Sequence, residues 1–271
     1  MERKRKDLEE QGVRLAAISF DPPAVLRSFA DRAGIGYPLL SDPDSKIIRA
    51  FGILNTSVPQ DHEFYGIPNP GEYLVNADGT VRAKFFENNI RERFTAGRVL
   101  VRELHIAGRA AEQSVETDHL ELTSWASDQV LRGGNRVALG LDIALGPKMH
   151  VYAPGVKGYI AVDWEMEQTP GLESFPVEYP DPESLHLPAI GETVPVYQGS
   201  VRFLRDVMIG QPDQIEHLLG EDGKLLLRGT FRYQACDDKV CYLPQTVELE
   251  WRLDFEQHDR QRAPEEIRRP R

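Results

Sequence analysis

The sequence has little of several features that would place it in a class at once. Of its 271 residues only 2 are cysteines, which excludes a small domain held together by many disulfides. It has no run of ~20 apolar residues, as a membrane-spanning helix needs, and its charged first six residues lack the apolar core of a secretory signal. Acidic residues outnumber basic ones, 43 to 32, and the resulting net charge of −11 argues against nucleic acid as a partner.

Motifs for nucleophilic and phosphate chemistry are missing as well. There is no Gly-x-Ser-x-Gly elbow, and Ser19, near the end of an apolar run, has no histidine near it in sequence. The glycines do not form a phosphate-binding loop. We therefore predict no bound cofactor and no metal.

The first third of the chain alternates strand and helix signals. An apolar run over residues 13–20 is typical of a strand buried on both faces, and Asp21-Pro22-Pro23 after it is typical of a helix start. Further strand patterns cover residues 37–40, 72–76 and 80–86, and helical spacing covers residues 25–33, 47–51 and 90–104. This alternation indicates an α/β domain.

Beyond a polar stretch, the period of the apolar residues changes from helical to two. Residues 137–145 and 247–255 alternate apolar with small or polar side chains, as half-buried strands do. With Pro/Gly clusters between further strand candidates, this region predicts an antiparallel β-sandwich. The predicted organisation is a first domain at 1–107, a linker at 108–118, a sandwich at 119–256 and a disordered tail at 257–271.

Both cysteines fall in one six-residue segment, Cys236 to Cys241, between two predicted strands. A structural disulfide is one interpretation, although the chain-entropy model gives so short a loop only about 2 kcal/mol. A zinc site is another, but zinc needs four ligands and no histidine lies near the pair in sequence. A reversible dithiol is the third, because two neighbouring thiols on a loop can resolve a mixed disulfide internally.

Residues of about 7–105 resemble the C-terminal two-thirds of peroxiredoxin-like (alkyl hydroperoxide reductase/thiol-specific antioxidant) thioredoxin folds. Three segments carry the resemblance: residues 12–21 (GVRLAAISFD), residues 37–43 (YPLLSDP) and residues 66–79 (GIPNPGEYLVNADG). The resemblance implies a cis-proline at Pro70. It also implies that the family's first strands and its reactive cysteine would precede Met1, so we expect either a fragment or a partner that covers the open sheet edge.

Residues of about 119–256 resemble the N-terminal domain of the thiol:disulfide interchange protein DsbD, an immunoglobulin-like sandwich. Residues 229–246 (GTFRYQACDDKVCYLPQT) carry this resemblance. It implies that Cys241 forms the mixed disulfide, that Cys236 resolves it, and that an aromatic cap shields the pair. The spacing of four residues between the cysteines departs from the five of well-known members, and Val196 stands at an aromatic cap position. The candidates for shielding are Tyr152, Val196, Tyr197 and Phe203.

Taken together, the sequence predicts an incomplete α/β thioredoxin-like domain followed by an all-β immunoglobulin-like sandwich. The resemblance implies a thiol–disulfide redox protein whose catalytic residues are Cys236 and Cys241 and whose partners are thioredoxin-like thiol proteins. A non-catalytic binding module with a structural disulfide is the alternative. An extracytoplasmic location follows from the family resemblance alone.

Overall fold

The computed structural model describes residues 1–87, 89–187, 191–237 and 239–268. The chain divides into two compact units, one formed by Met1–Ala96 with His258–Arg271 and the other by Gly97–Gln257. The predicted domain limits stay predictions, because a compact unit is defined by contacts and a family domain by sequence.

The first unit contains short helices and two small sheets. Its elements are α1 (Arg5–Glu10), β1 (Ala17–Ser19), α2 (Pro23–Ala33), β2 (Leu39–Ser41), α3 (Lys46–Ala50), β3 (Glu72–Val75), β4 (Val81–Phe85) and β5 (Arg93–Phe94), with 3₁₀ turns at Glu2–Lys4 and Glu265–Ile267. Strands β1 and β2, which α2 connects along the chain, pair with each other in parallel. Strands β3 and β4 form an antiparallel hairpin. This β-α-β arrangement confirms the predicted thioredoxin-like class.

Helix α2 begins and ends at residues whose chemistry favours those positions. Pro23 lies in its first turn, where a missing N–H breaks no hydrogen bond. Gly34 ends the helix with a φ of 63°, a left-handed conformation that glycine adopts without strain. The sequence signals therefore predicted this helix because its two ends are set locally.

Pro70 does not have the cis peptide bond that the resemblance implies, since every peptide bond among the described residues is trans. The trans form is the ordinary one for an X–Pro bond, favoured by about 0.5–1 kcal/mol. In this conformation Asn69 donates its N–H to the Ile53 carbonyl at 2.6 Å.

The described part of the tail from residue 257 has one 3₁₀ turn, at Glu265–Ile267, and its predicted disorder stays a prediction. Asp259 forms an ion pair with Arg32 at 2.6 Å, and Arg32 also donates to the Gln261 carbonyl at 3.3 Å, within the first unit. Charged contacts of this kind leave no apolar pattern in the sequence. Residues 269–271 of the predicted tail lie outside the described residues.

The second unit is mostly β-structure. Its elements are α4 (Ala96–Leu104), β6 (Ala110–Glu116), β7 (Leu120–Ala126), β8 (Val130–Leu131), β9 (Asn135–Leu145), β10 (His150–Tyr152), β11 (Asp163–Met166), β12 (Leu172–Ser174), β13 (Glu183–Leu187), β14 (Glu192–Gln198), β15 (Ser200–Ile209), α5 (Pro212–Ile215), β16 (Lys224–Tyr233), β17 (Ala235–Cys236) and β18 (Gln245–Phe255), with a 3₁₀ turn at Glu216–Leu218.

Two sheets of this unit, in the orders β12–β15–β9–β7–β6 and β11–β16–β18–β8, enclose one apolar core. Trp164 and Trp251 stack at the centre with ring centroids 6.0 Å apart, and Phe203 packs against Phe231 at 5.9 Å. Strand β18 buries Val247, Leu249, Trp251 and Leu253 in alternation, as the sequence pattern predicted. The predicted immunoglobulin-like sandwich is thus confirmed.

Strand β9 is buried on both faces, although its pattern predicted a half-buried strand. Val101 of α4 packs with Trp125 and Ala138 on the outer face of the sheet. Gly140 leaves the space that Trp125 occupies, because a Cβ at this position would overlap the indole ring. The second face of β9 is therefore buried by α4, a helix that lies well before this strand in the sequence.

Residues 108–118, predicted as a linker, contain strand β6, which pairs with β7 from Ala110↔Ala126 to Glu116↔Glu121. Most residues of β6 are exposed. An edge strand whose side chains are mostly exposed has little apolar alternation, so its sequence resembles that of a linker. The structure corrects the expectation at this point.

Candidate functional site

A third sheet, in the order β13–β14–β10–β17, carries the two cysteines. Cys236 ends β17, and a disulfide joins it to Cys241, with the two Cα atoms 4.1 Å apart. The chain turns back immediately after the loop, where the Tyr242 N–H donates to the Ala235 carbonyl at 2.9 Å. The two sulfurs are thus placed to form and break one bond.

The Asp237 carboxylate holds the loop between the cysteines in shape. It accepts the N–H groups of Lys239 at 2.7 Å and Val240 at 2.8 Å, and its other oxygen accepts the Tyr242 hydroxyl at 3.0 Å. These donors lower the pKa of Asp237 below its ordinary value. The ionised side chain thus fixes the loop that presents Cys241.

The register of β10 decides which side chains face the disulfide. His150 lies directly opposite Cys236, and Tyr152 lies directly opposite Val196. Directly opposite residues share a face of a sheet, and so do residues two apart in a strand. Tyr152, Val196 and Cys236 accordingly form one buried cluster with Val194.

Tyr197 and Phe203 do not face the disulfide, which corrects the expectation that they shield it. Tyr197 is paired with Val151, whose side chain points to the opposite face, and both belong to the sandwich core. Its ring lies 5.3 Å from that of Phe203, and its hydroxyl donates to the Pro180 carbonyl at 2.9 Å. A shift of one residue along a strand changes the face, and the sequence motif alone did not fix that register.

Tyr152 contacts both sulfurs. Its hydroxyl oxygen is 3.5 Å from Cys236 Sγ and 3.6 Å from Cys241 Sγ, and the residue is 1% exposed. Burial raises the pKa of Tyr152, and the charge of nearby Glu192 acts in the same direction. The hydroxyl therefore keeps its proton at neutral pH and can donate a hydrogen bond to sulfur.

Tyr159 covers Tyr152 from the solvent side, a contact that sequence reasoning missed. The two rings stack with centroids 4.4 Å apart, and the Tyr159 hydroxyl donates to Glu192 Oε2 at 3.0 Å. Gly155 and Gly158, with φ of 90° and 82°, let the intervening loop turn back onto its start. The two glycines shortly before Tyr159 were the sequence feature that could have indicated this turn, and with it the contact between Tyr159 and Tyr152.

Tyr159→Phe and Glu192→Ala are each expected to let a small thiol such as dithiothreitol reduce the disulfide about threefold faster, because each variant removes the exposed hydrogen bond between these two side chains. Without the bond, Tyr159 no longer holds Tyr152 firmly over the sulfurs. The measurement is the rate of reduction, followed by quenched thiol labelling.

The double variant is expected to react at the rate of either single variant, because both changes remove the same bond. Glu183→Ala, which removes an exposed carboxylate from the neighbouring strand β13, is the matched control and should leave the rate unchanged. Fully additive effects would contradict this role of the Tyr159–Glu192 hydrogen bond.

The two sulfurs differ sharply in environment. Cys236 is 1% exposed, whereas Cys241 is an exposed residue. Two large apolar residues beside Cys241 are also open to solvent, Val240 at 54% and Leu243 at 86%. Of the two cysteines, Cys241 is therefore the one open to solvent.

The structure offers no metal ligand set in the part of the chain it describes, where no three His, Cys, Asp or Glu side chains come together. Across the same residues, no helix combines the length and the apolar character that crossing a membrane requires.

Fold and site together define a class of protein: a thioredoxin-like segment and an immunoglobulin-like sandwich that presents a half-exposed disulfide beside a buried tyrosine hydroxyl. Comparison with known families identifies both parts. Residues 1–84 match the AhpC/TSA family, and residues 124–251 match the family described as thiol:disulfide interchange protein DsbD, N-terminal. The two resemblances predicted from the sequence are confirmed.

Individual relatives cover only parts of the chain. A putative peroxiredoxin of Mycobacterium tuberculosis is 32% identical over 79 residues, covering 28% of this chain and 47% of that protein. Peroxiredoxin Bcp of Escherichia coli is 30% identical over 79 residues, covering 29% of this chain and 50% of that protein. This chain thus spans about half the length of the curated relatives it matches.

Among solved structures, the N-terminal periplasmic domain of ScsB from Proteus mirabilis is similar with a TM-score of 0.37 and 17% identity, covering 54% of this chain and 52% of that one. The reduced N-terminal domain of DsbD from Neisseria meningitidis gives a TM-score of 0.29 and 14% identity, covering 43% of this chain and 78% of that one.

Proposed function

We propose that this chain exchanges disulfides with partner thiol proteins through Cys236 and Cys241. The two family matches and the disulfide support a thiol–disulfide redox function. The observation that carries the finer proposal is the asymmetry of the pair: Cys241 is exposed, and Cys236 is buried under Tyr152. The sulfur that forms the mixed disulfide with a partner has to be exposed, as Cys241 is. The sulfur that resolves this intermediate acts from within the protein and can be buried, as Cys236 is.

In the oxidised protein, a partner thiolate attacks Cys241 Sγ. A bond forms between the partner's sulfur and Cys241, the Cys236–Cys241 bond breaks, and Cys236 leaves as a thiolate. The Tyr152 hydroxyl, 3.5 Å from Cys236 Sγ, can donate a hydrogen bond to this developing charge. Such a donor stabilises the anion because Cys236 is buried and bulk solvent does not reach it.

The reduced protein runs the same steps in reverse order. Cys241 attacks a partner disulfide, Cys236 then attacks Cys241, and the partner leaves as a dithiol with two more electrons. The exposed side chains of Val240 and Leu243 lie on either side of Cys241 in sequence and would contact such a partner. By the family resemblance, the partner is a thioredoxin-like protein.

The AhpC/TSA-like segment cannot supply this chemistry from within the chain, because neither cysteine lies before residue 236. The alternative function is a binding module in which the disulfide only closes the loop. The Asp237 hydrogen bonds already shape this loop, so a purely structural disulfide would have less to contribute there.

The reduction potential of Cys236/Cys241 is expected to lie between about −120 and −280 mV, the range of working oxidoreductases. The measurement is equilibration of the purified chain in defined thiol buffers, followed by mass analysis of alkylated cysteines. It requires no knowledge of the physiological partner.

A potential below about −300 mV would mark a structural bridge and overturn the proposed exchange in favour of the binding module. The Asp237→Asn variant distinguishes the contribution of the loop's shape from that of the cysteines themselves. It keeps both cysteines and weakens the hydrogen bonds that shape the loop.

A further inference from the structure

We infer that His150 accepts the proton of the Cys236 thiol when that thiol becomes the resolving nucleophile. This inference rests on the proposed function for its role in exchange, although the proton transfer itself can be measured without any partner. His150 is a buried titratable residue that the disulfide chemistry described above does not use.

Position in the sheet places the two side chains together. His150 of β10 lies directly opposite Cys236 of β17. Directly opposite residues in an antiparallel pair have Cβ atoms about 4.5–5.5 Å apart and share one face. Within that spacing, a thiol released from the disulfide can turn toward the imidazole.

Burial makes this placement chemically significant. His150 and Cys236 are each 1% exposed, and the His150 ring lies 5.4 Å from that of Tyr152, whose hydroxyl reaches Cys236 Sγ. Solvent is not at hand to take a proton from a thiol in this position. A neutral imidazole has one ring nitrogen without a proton, and this nitrogen can accept the proton of a neighbouring thiol.

The step balances in atoms and charge. In the mixed disulfide, the Cys236 thiol transfers its proton to His150, and the resulting thiolate attacks Cys241 Sγ. The Cys236–Cys241 bond forms, the bond from Cys241 to the partner's sulfur breaks, and the partner leaves as a thiolate. The imidazolium returns the proton to that thiolate or to water, so that His150 ends neutral.

Other ionisable groups act on the same thiol and must be separated from His150. On the described elements around it, these are Tyr152 of β10, Tyr159 on the following loop, Glu192 of β14, and Asp237 and Lys239 on the cysteine loop. Asp237 disfavours a thiolate at Cys236 and Lys239 favours one. None of them lies opposite Cys236 in the sheet, as His150 does.

The experiment titrates Cys236 alone. In the Cys241→Ser chain, the thiolate of Cys236 is followed by its ultraviolet absorbance against a Cys236→Ala/Cys241→Ser blank, as a function of pH. His150→Gln is expected to move the midpoint up by about one unit, which lowers the thiolate fraction at pH 7 by about tenfold. His150→Phe keeps a ring of similar shape and should produce the same shift.

Two controls identify the cause of the shift. His119→Gln removes an imidazole beside the same loop, whose ring centroid lies 4.2 Å from that of Tyr242, and should leave the midpoint unchanged. Asp237→Asn should lower the midpoint rather than raise it. Thermal melts of every variant show whether the sandwich is folded.

A measurement on the native imidazole covers the case in which His150 variants fail to fold. In Cys241→Ser, the nuclear magnetic resonance shifts of the His150 ring should titrate together with the Cys236 thiolate. Independent titrations, or an unchanged midpoint in folded His150→Gln, would overturn the inference. A reduction potential of the native pair in the range of structural bridges, together with the expected change of midpoint in His150→Gln, would instead reject only the exchange function.

Discussion

Cys236→Ser is expected to trap a stable mixed disulfide with an oxidised thioredoxin-fold protein, whereas Cys241→Ser is expected to form none. Cys241 is exposed, so under the proposed function it attacks the disulfide of the probe directly. With serine at position 236, no thiol remains to resolve the adduct, because a hydroxyl does not displace a thiolate. With serine at position 241, the remaining thiol is 1% exposed under Tyr152.

The measurement uses reduced variants mixed with oxidised thioredoxin, quenched by alkylation and separated without reductant. The expected amount of mixed disulfide differs completely between the two variants: Cys236→Ser is fully converted to the adduct, and Cys241→Ser forms none. The unmutated chain serves as a control, since it should exchange without accumulating the adduct. Equal trapping by both variants would reject the assigned order of the cysteines, and no exchange by the unmutated chain would favour the binding module.

Asp206→Ala is expected to lower the free energy of unfolding of the sandwich by about 3–5 kcal/mol. The Asp206 side chain is 3% exposed and binds three arginines, Arg98 at 2.6 Å, Arg102 at 2.8 Å and Arg136 at 2.9 Å. Removing the carboxylate leaves three partly buried guanidinium groups without their shared counter-charge. Urea unfolding followed by tryptophan fluorescence measures the loss.

The same carboxylate makes stability depend on pH in a defined direction. Burial alone would raise the pKa of Asp206, but Arg98 and Arg102 outweigh burial, so that the pKa is lowered in the folded protein. A lowered pKa contributes stability that is complete above the unfolded value of ~3.9 and is lost as the pH falls through the folded value. The difference between Asp206→Ala and the unmutated chain should therefore shrink in acid.

Asp254→Ala is the matched control. Asp254 pairs with Lys224 at 3.1 Å, but both side chains are 43% exposed, and exposed pairs contribute only ~0–1 kcal/mol. A loss at Asp206 no larger than the loss at Asp254 would show that the arginines are satisfied by solvent, contrary to this account.

Local chemistry accounts for what could be predicted from the amino-acid sequence. The ends of α2 are marked by Pro23 and Gly34, and β18 is marked by the alternation of Val247, Leu249, Trp251 and Leu253. The segment from Cys236 to Cys241 stands out because two thiols occur nowhere else. Each of these signals lies within a few residues of the feature it predicts, so no long-range contact is needed to interpret it.

Tertiary structure alone decided the surroundings of the disulfide. The sequence offered Val196 and Tyr197 side by side as candidates for shielding, and the β10–β14 register turns Val196 toward Cys236 and Tyr197 into the core. His150 and Glu192 reach the site from strands far from Cys236 in sequence. Strand pairing and a period of two residues per face fix these neighbours, and neither can be read from the residues next to the cysteines.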